Sequence, residues 1–224
     1  MKKGSLIYIF TSVFSLAVFI IITMNVLNGN LNAWNDSVYE QIALLISPPL
    51  TNFMVLIDIV GKWYVYLSIA VLLLIIAKTR MKVGLPLTLT LAAGMSLNYL
   101  LKQIFAVPRP DVYRLVDTSG YGHPSGHIMY GLAFIAMCVF LVWNCIDSKP
   151  IKIGALAFVV FFMLLMGFNR IYLGVHTPTD VVAGYFAGAF VIATGIFILS
   201  KLGFMPNTIR NKTKNRGGIY GVQE

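Results

Sequence analysis

The chain has 224 residues, is 58% hydrophobic and only 11% charged, and carries 17 basic against 8 acidic side chains for a formal net charge of +9. Soluble domains carry about 25% charged residues, and a core of this length cannot hide so much apolar surface, so a soluble globular protein is excluded. No basic stretch is interleaved with aromatics, which points away from nucleic acid and assigns the basic balance to a membrane.

The apolar segments in chain order predict an all-α polytopic membrane protein, a six-transmembrane-helix bundle with a short interfacial helix. A membrane helix needs roughly 17–25 residues, and spans are expected at 5–27, 60–78, 83–105, 127–146, 151–170 and 178–200. The first follows Lys2-Lys3 like a signal peptide, but its apolar run is long and lacks a small-residue cleavage site, so it reads as an uncleaved span. Residues Asn35 to Ile46 suit the interfacial helix, with Trp34 and Tyr39 as headgroup anchors and Pro48-Pro49 ending it. The run Leu50 to Val60 is short and carries Asp58, and reads as a packed lead-in to the second span, with Gly61 as the break. Cys138 and Cys145 fall in one apolar run, about 10 Å apart along a helix, beyond disulfide reach; both read as packing residues. One membrane domain is therefore expected over 1–204, followed by a basic, disordered cytoplasmic tail over 205–224.

Orientation follows from the lysines and arginines. With the N-terminus in the cytoplasm, 12 of the 17 lie inside. The exceptions are Lys62, Lys102, Arg109, Arg114 and Arg170. Both termini are then cytoplasmic, and the polar patches face the extracytoplasmic side of a plasma membrane.

Those patches carry the chemistry, because polar groups beside membrane spans are costly and usually functional. Pro124-Ser125-Gly126-His127 opens an apolar helix, with Ser125 as an N-cap and Gly126 baring the backbone N–H groups. A helix start of this kind is an anion site. Thr177-Pro178-Thr179-Asp180 reads as a capping box, which explains Asp180 structurally. Asp180 also lies one turn past His176, where a carboxylate can take an imidazole N–H and leave the other nitrogen free to attack. Lys102, Arg109 and Arg170 each suit headgroup-level snorkelling alone. Together, beside a helix start and two histidines, they fit a phosphate cage.

Lys102-x6-Arg109-Pro110, Pro124-Ser125-Gly126-His127 and Arg170-x5-His176-x3-Asp180 resemble the three-part signature of the type 2 phosphatidic acid phosphatase (PAP2) superfamily, over about residues 60–200. The resemblance implies an integral-membrane lipid phosphatase in which His176 is the nucleophile and forms a phosphohistidine. Asp180 orients it, and His127 protonates the leaving oxygen. Lys102, Arg109, Ser125, Gly126 and Arg170 hold the phosphoryl oxygens. Neither metal nor other cofactor is implied, and the partner is a membrane lipid substrate within the bilayer. Undecaprenyl diphosphate, phosphatidylglycerol phosphate and phosphatidic acid are the substrates this branch suggests.

The third motif begins Asn169-Arg170 where the family often has Ser-Arg, so Asn169 is a possible substrate contact through its amide. His123 is extra to the signature, either a substrate contact or an exposed loop histidine. A metal site from His123, His127, His176, Asp111 and Asp117 is the lesser reading, because Pro124 and the helix start interrupt the spacing. Two alternatives keep other chemistry open. A phosphotransferase would use the same phosphohistidine with another acceptor. A non-catalytic lipid transporter would be expected to lack the histidines and the acid that are present here.

Overall fold

The computed structural model describes residues 3–76, 78, 80–112 and 114–204. The expected tail from residue 205 lies outside the described residues.

Among the described residues the chain is all helix, without strands. The helices are α1 (Lys3–Leu27), α2 (Asn32–Ala43), α3 (Pro48–Val60), α4 (Trp63–Ile75), α5 (Leu85–Phe105), α6 (Gly126–Cys145), α7 (Lys149–Tyr172) and α8 (Pro178–Lys201). A five-residue π-helical turn, Arg80–Gly84, leads into α5. The protein is a multi-pass membrane helical bundle. Five helices are long and apolar enough to span a bilayer, and six if the pair α2 and α3, bent by 119°, counts as one.

Two expectations need correction. The predicted single helix over 60–78 is the 13-residue α4, about 20 Å long against a hydrocarbon core of about 30 Å. It stops at Ile76, whose backbone turns extended ahead of Lys78 and Arg80. Pro48-Pro49 do not end a helix but open α3. A first-turn proline loses no hydrogen bond, since the first N–H groups have no partner in any helix. Gly61 does separate α3 from α4 as expected.

Helix α8 is the hub, packing most extensively on α1 and α6. It runs antiparallel to α1, with Ser12 bonded to Thr194 at 3.1 Å near one end and Thr23 close to the Asp180 end. Gly184 and Gly188 let α6 close in: a Cβ at either would lie within 3.0 Å of the carbonyl oxygen of Ser125 or Met129. Small residues at this spacing drive helix contact inside lipid, where apolar burial gives no preference for protein over acyl chain.

The core between the helices holds Tyr66, Leu91, Ile128, Phe134, Met137 and Met166. Outward positions stay apolar as well; Phe10, Ile104 and Phe161 are each at least two-thirds exposed, as lipid-facing side chains must be. The starts of α6 and α8 and the ends of α1, α5 and α7 gather at one end of the bundle. Helix α3 packs antiparallel against the end of α7, pairing Thr51 with Tyr172, Met54 with Asn169 and Asp58 with Arg170.

Candidate active site

The start of α8 builds the first half of the site from local chemistry. Thr177 is the N-cap, and its Oγ1 accepts from the Asp180 N–H at 3.2 Å. Asp180 Oδ2 accepts in return from the Thr177 N–H at 3.0 Å. The backbone carbonyl of Asp180 also accepts from the Ser125 N–H at 3.0 Å, which joins the starts of α6 and α8. Asn35 on α2 braces the same turn through Thr179, with bonds of 3.0 and 3.1 Å.

Capping and catalytic geometry coexist at Asp180. The same Oδ2 lies 3.5 Å from His176 Nδ1. On the far side of the imidazole, Nε2 is 3.3 Å from Arg109 Nη1. A guanidinium can only donate, so Nε2 accepts and carries the lone pair, and the ring proton belongs on Nδ1 toward the carboxylate. Burial lowers the His176 pKa to about 3, opposed by Asp180 and reinforced by the cations Arg170 and Lys102. The ring is therefore neutral at physiological pH.

His123 is not an exposed loop residue. It is wholly buried, stacked on Phe19 of α1 and edge-on to Phe105 of α5. Its Nδ1 lies 3.0 Å from Asp180 Oδ1 and its Nε2 3.0 Å from Thr23 Oγ1. A carboxylate acceptor places the proton on Nδ1, so a neutral ring accepts from the Thr23 hydroxyl. His123 thus buttresses the acid, with both ring nitrogens engaged by protein groups. The sequence carried a signal for this only in the proximity of His123 to the motif, because Thr23 lies 100 residues away.

Arg109 gathers the loop between α5 and α6. Its Nε donates to Gly120 O at 3.0 Å, Nη2 to Ser119 O at 3.0 Å and Nη1 to Val175 O at 2.7 Å. Burial, with Arg170 nearby, lowers its pKa to about 10, which leaves it charged at neutral pH. Lys102, in the last turn of α5, donates to the Tyr121 carbonyl. Both cations are fastened to the loop that precedes Ser125.

The second half of the site is assembled at long range. Arg170, expected in the phosphate cage, is only 2% exposed and forms an ion pair with Asp58 of α3. Asp58 Oδ1 also lies 3.6 Å from His127 Nε2, and Oδ2 lies 3.7 Å from Lys62. Asp58 is a site residue that the sequence reading left as helix packing. Its signal was an acid inside an apolar run. Asn169 also meets α3, its amide nitrogen donating to the Met54 carbonyl. That bond braces α7 against α3, while Asn169 Oδ1 is buried without a partner. Ser125 stands at the N-cap of α6, but its hydroxyl caps nothing. Gly126 and His127 follow in the first turn, where backbone N–H groups have no intrahelical acceptor.

Buried polar atoms are nearly always paired. Here the unpaired ones converge. Among the described residues six buried side-chain polar atoms lack a hydrogen-bond partner, and Ser125 Oγ, His127 Nε2, Asn169 Oδ1, Arg170 Nε and His176 Nδ1 are five of them. Four of these five belong to the expected phosphate cage and its two histidines; His176 Nδ1 faces Asp180 Oδ2 at 3.5 Å, which leaves Ser125 Oγ, His127 Nε2 and Arg170 Nε for a ligand. Hydroxyl, guanidinium and imidazole groups, with the adjacent cations, suit a ligand rich in anionic oxygens. No group of three or more His, Cys, Asp or Glu side chains among the described residues is arranged to hold a metal ion.

The family model described as the PAP2 superfamily matches residues 83–203. The chain is 30% identical over 159 residues to an undecaprenyl-diphosphatase of Sulfolobus acidocaldarius, covering 68% of this chain and 70% of that protein. It is 33% identical over 108 residues to phosphatidylglycerophosphatase B of Bacillus subtilis, covering 47% of this chain and 52% of that enzyme. The fold is similar to the crystal structure of a transmembrane PAP2 type phosphatidylglycerolphosphate phosphatase from Bacillus subtilis, with a TM-score of 0.78 and 25% identity, covering 86% of this chain and 98% of that one.

Proposed function

The chain belongs to the PAP2 superfamily and is a membrane lipid phosphatase, and from that premise we propose that it hydrolyses a lipid diphosphate or monophosphate through a phosphohistidine on His176, without a metal ion. The observation that carries this reading is the placement of the buried, unpaired Ser125 Oγ, His127 Nε2 and Arg170 Nε at the same end of the bundle as His176, whose Nε2 carries the lone pair. Undecaprenyl diphosphate and phosphatidylglycerophosphate are the leading substrates, since the similar enzymes are named for them. The site opens at the extracytoplasmic side, supported by the cytoplasmic bias of lysine and arginine, with both termini inside. Residues 1–204 act as one membrane domain.

The chemistry follows from the donor set. Arg109, Arg170 and Lys102 neutralise the phosphoryl oxygens, together with Ser125 and the free N–H groups at Gly126. His176 Nε2 attacks phosphorus, and the bond from phosphorus to the leaving lipid oxygen breaks. His127 delivers a proton to that oxygen. The phosphorylated ring becomes a cation, which the Asp180 carboxylate stabilises at Nδ1. Water then attacks phosphorus, the phosphorus–nitrogen bond breaks, and His127 takes the proton lost by the water.

Phosphate release by purified protein in EDTA, from a panel of undecaprenyl diphosphate, phosphatidylglycerophosphate and phosphatidic acid, tests this reading with His176→Ala as control. Release from one class, lost in the variant, is the expected result. Turnover by His176→Ala near the normal rate overturns the nucleophile, and loss of wild-type activity in EDTA overturns the metal-free chemistry.

A further inference from the structure

Asp58 lies outside all three motifs, yet its carboxylate reaches two of their side chains. Oδ1 pairs with Arg170 Nη1 and stands 3.6 Å from His127 Nε2, while Oδ2 lies 3.7 Å from Lys62. The residue is 7% exposed on an otherwise apolar helix. A buried acid there costs desolvation that one ion pair often fails to recover. An ion pair serving only to join α3 to α7 has no need of signature residues. Met54 with Asn169 and Thr51 with Tyr172 already make that junction.

The division of Arg170's donors is informative. Nη1 is held by Asp58, whereas Nε is buried without a partner. A guanidinium presents its donors in a rigid fork, so fixing one edge aims the other. We propose that Asp58 is a positioning residue for the phosphate site, anchoring Arg170 by one edge, steering the His127 ring, and setting a negative charge against the bound phosphate that speeds its release. This inference rests on the phosphatase reading. Its electrostatic consequence is nevertheless readable without turnover. An anion a few ångströms from an anion site weakens phosphate binding while it organises the donors around it.

The test is Asp58→Asn, which keeps the shape and an acceptor for Arg170 but removes the charge. Two quantities are measured on full-length protein in detergent: kcat on the lipid substrate, and the affinity for inorganic phosphate by calorimetry. The expected result is a fall in kcat of roughly tenfold with a rise in phosphate affinity of roughly tenfold, the scale of one charged contact. A folding defect moves both downward, so opposite movement identifies the positioning role. Unchanged values, or a loss of both in a protein of normal thermal stability, overturns it. If Asp58→Asn does not fold, Asp58→Glu carries the test. Its longer carboxylate keeps the charge and shifts the Arg170 contact, so kcat falls while phosphate affinity stays within about twofold; a normal kcat overturns the proposal. A wild type that releases no phosphate from any lipid refutes the phosphatase reading instead, and the affinity ratio still decides the role of Asp58.

Discussion

The two acids of the site are held in opposite ways. Asp180 is held by hydrogen bonds: Oδ1 faces His123 at 3.0 Å, and Oδ2 accepts the Thr177 N–H at 3.0 Å. Asp58 has cations and an imidazole for company, with Arg170, Lys62 and His127 around it. The first arrangement is rigid, because short bonds from the helix start and from the loop before α6 fix both oxygens of one carboxylate. The second is mainly electrostatic, and it leaves donor atoms of Arg170 and His127 unpaired. A nucleophile requires the former, since its ring must be held in one tautomer and one direction. A group that receives and releases an anion is better served by the latter.

The sharpest way to break this contrast is at Asp180. Asp180→Asn keeps the Thr177 interaction but removes the charge that supports His176, so kcat falls by about 10²–10⁴-fold, the range of positioned acid–base support. Thermal unfolding moves far less, since a cap is worth about 1 kcal/mol. A variant that lost stability but kept its rate would reduce Asp180 to a cap. Next in size is His123→Gln, which leaves a buried carboxylate oxygen poorly matched. A kcat drop of about tenfold with KM unchanged is the result expected of a residue that acts through Asp180. A change confined to KM would return His123 to the substrate. Thr23→Val follows, and removes the hydroxyl that the ring accepts from. A twofold to fivefold loss of kcat is expected, on the scale of about 1 kcal/mol for one neutral hydrogen bond. Equal rates for Thr23→Val and wild type would show that α1 contributes packing alone.

The smallest effect is in stability against pH. Burial sets the His176 pKa at about 3, below its ordinary 6.5. Between those values the unfolded chain binds a proton that the folded one refuses, so this group's contribution is complete above about pH 6.5 and declines as pH falls toward 3. Unfolding temperatures measured from pH 7.5 to pH 4.5 should fall more steeply in wild type than in His176→Gln. Parallel slopes would place the acid sensitivity elsewhere.

Much of this was legible in the chain because it is local. Helix α8 starts where Thr177, Pro178 and Asp180 say it should, since all the groups of a capping box lie within four residues. Of the six spans expected from the apolar runs, five are helices long enough to cross a bilayer, and Lys102, Arg109, Ser125, Gly126, His127, Arg170, His176 and Asp180 lie toward one end of the bundle. Within residues 31 to 78 the short helix near Asn35 and the break at Gly61 were legible, but the start of α3 at Pro48 and the end of α4 at Ile75 were not, because short apolar helices broken by proline and glycine have no single period and packing decides where each stops.

By itself, then, the sequence determined the membrane class, the starts of α6 and α8 and the residues proposed to handle phosphate, because composition, capping and spacing act within a few residues. Only the tertiary structure decided which acid serves which base. His123 meets Thr23 across 100 residues and Asp180 across 57, and Arg170 meets Asp58 across 112. Contacts of that range depend on how α1, α3, α7 and α8 approach one another. That approach is set by side-chain volume and glycine gaps along whole helices, and no local pattern carries it.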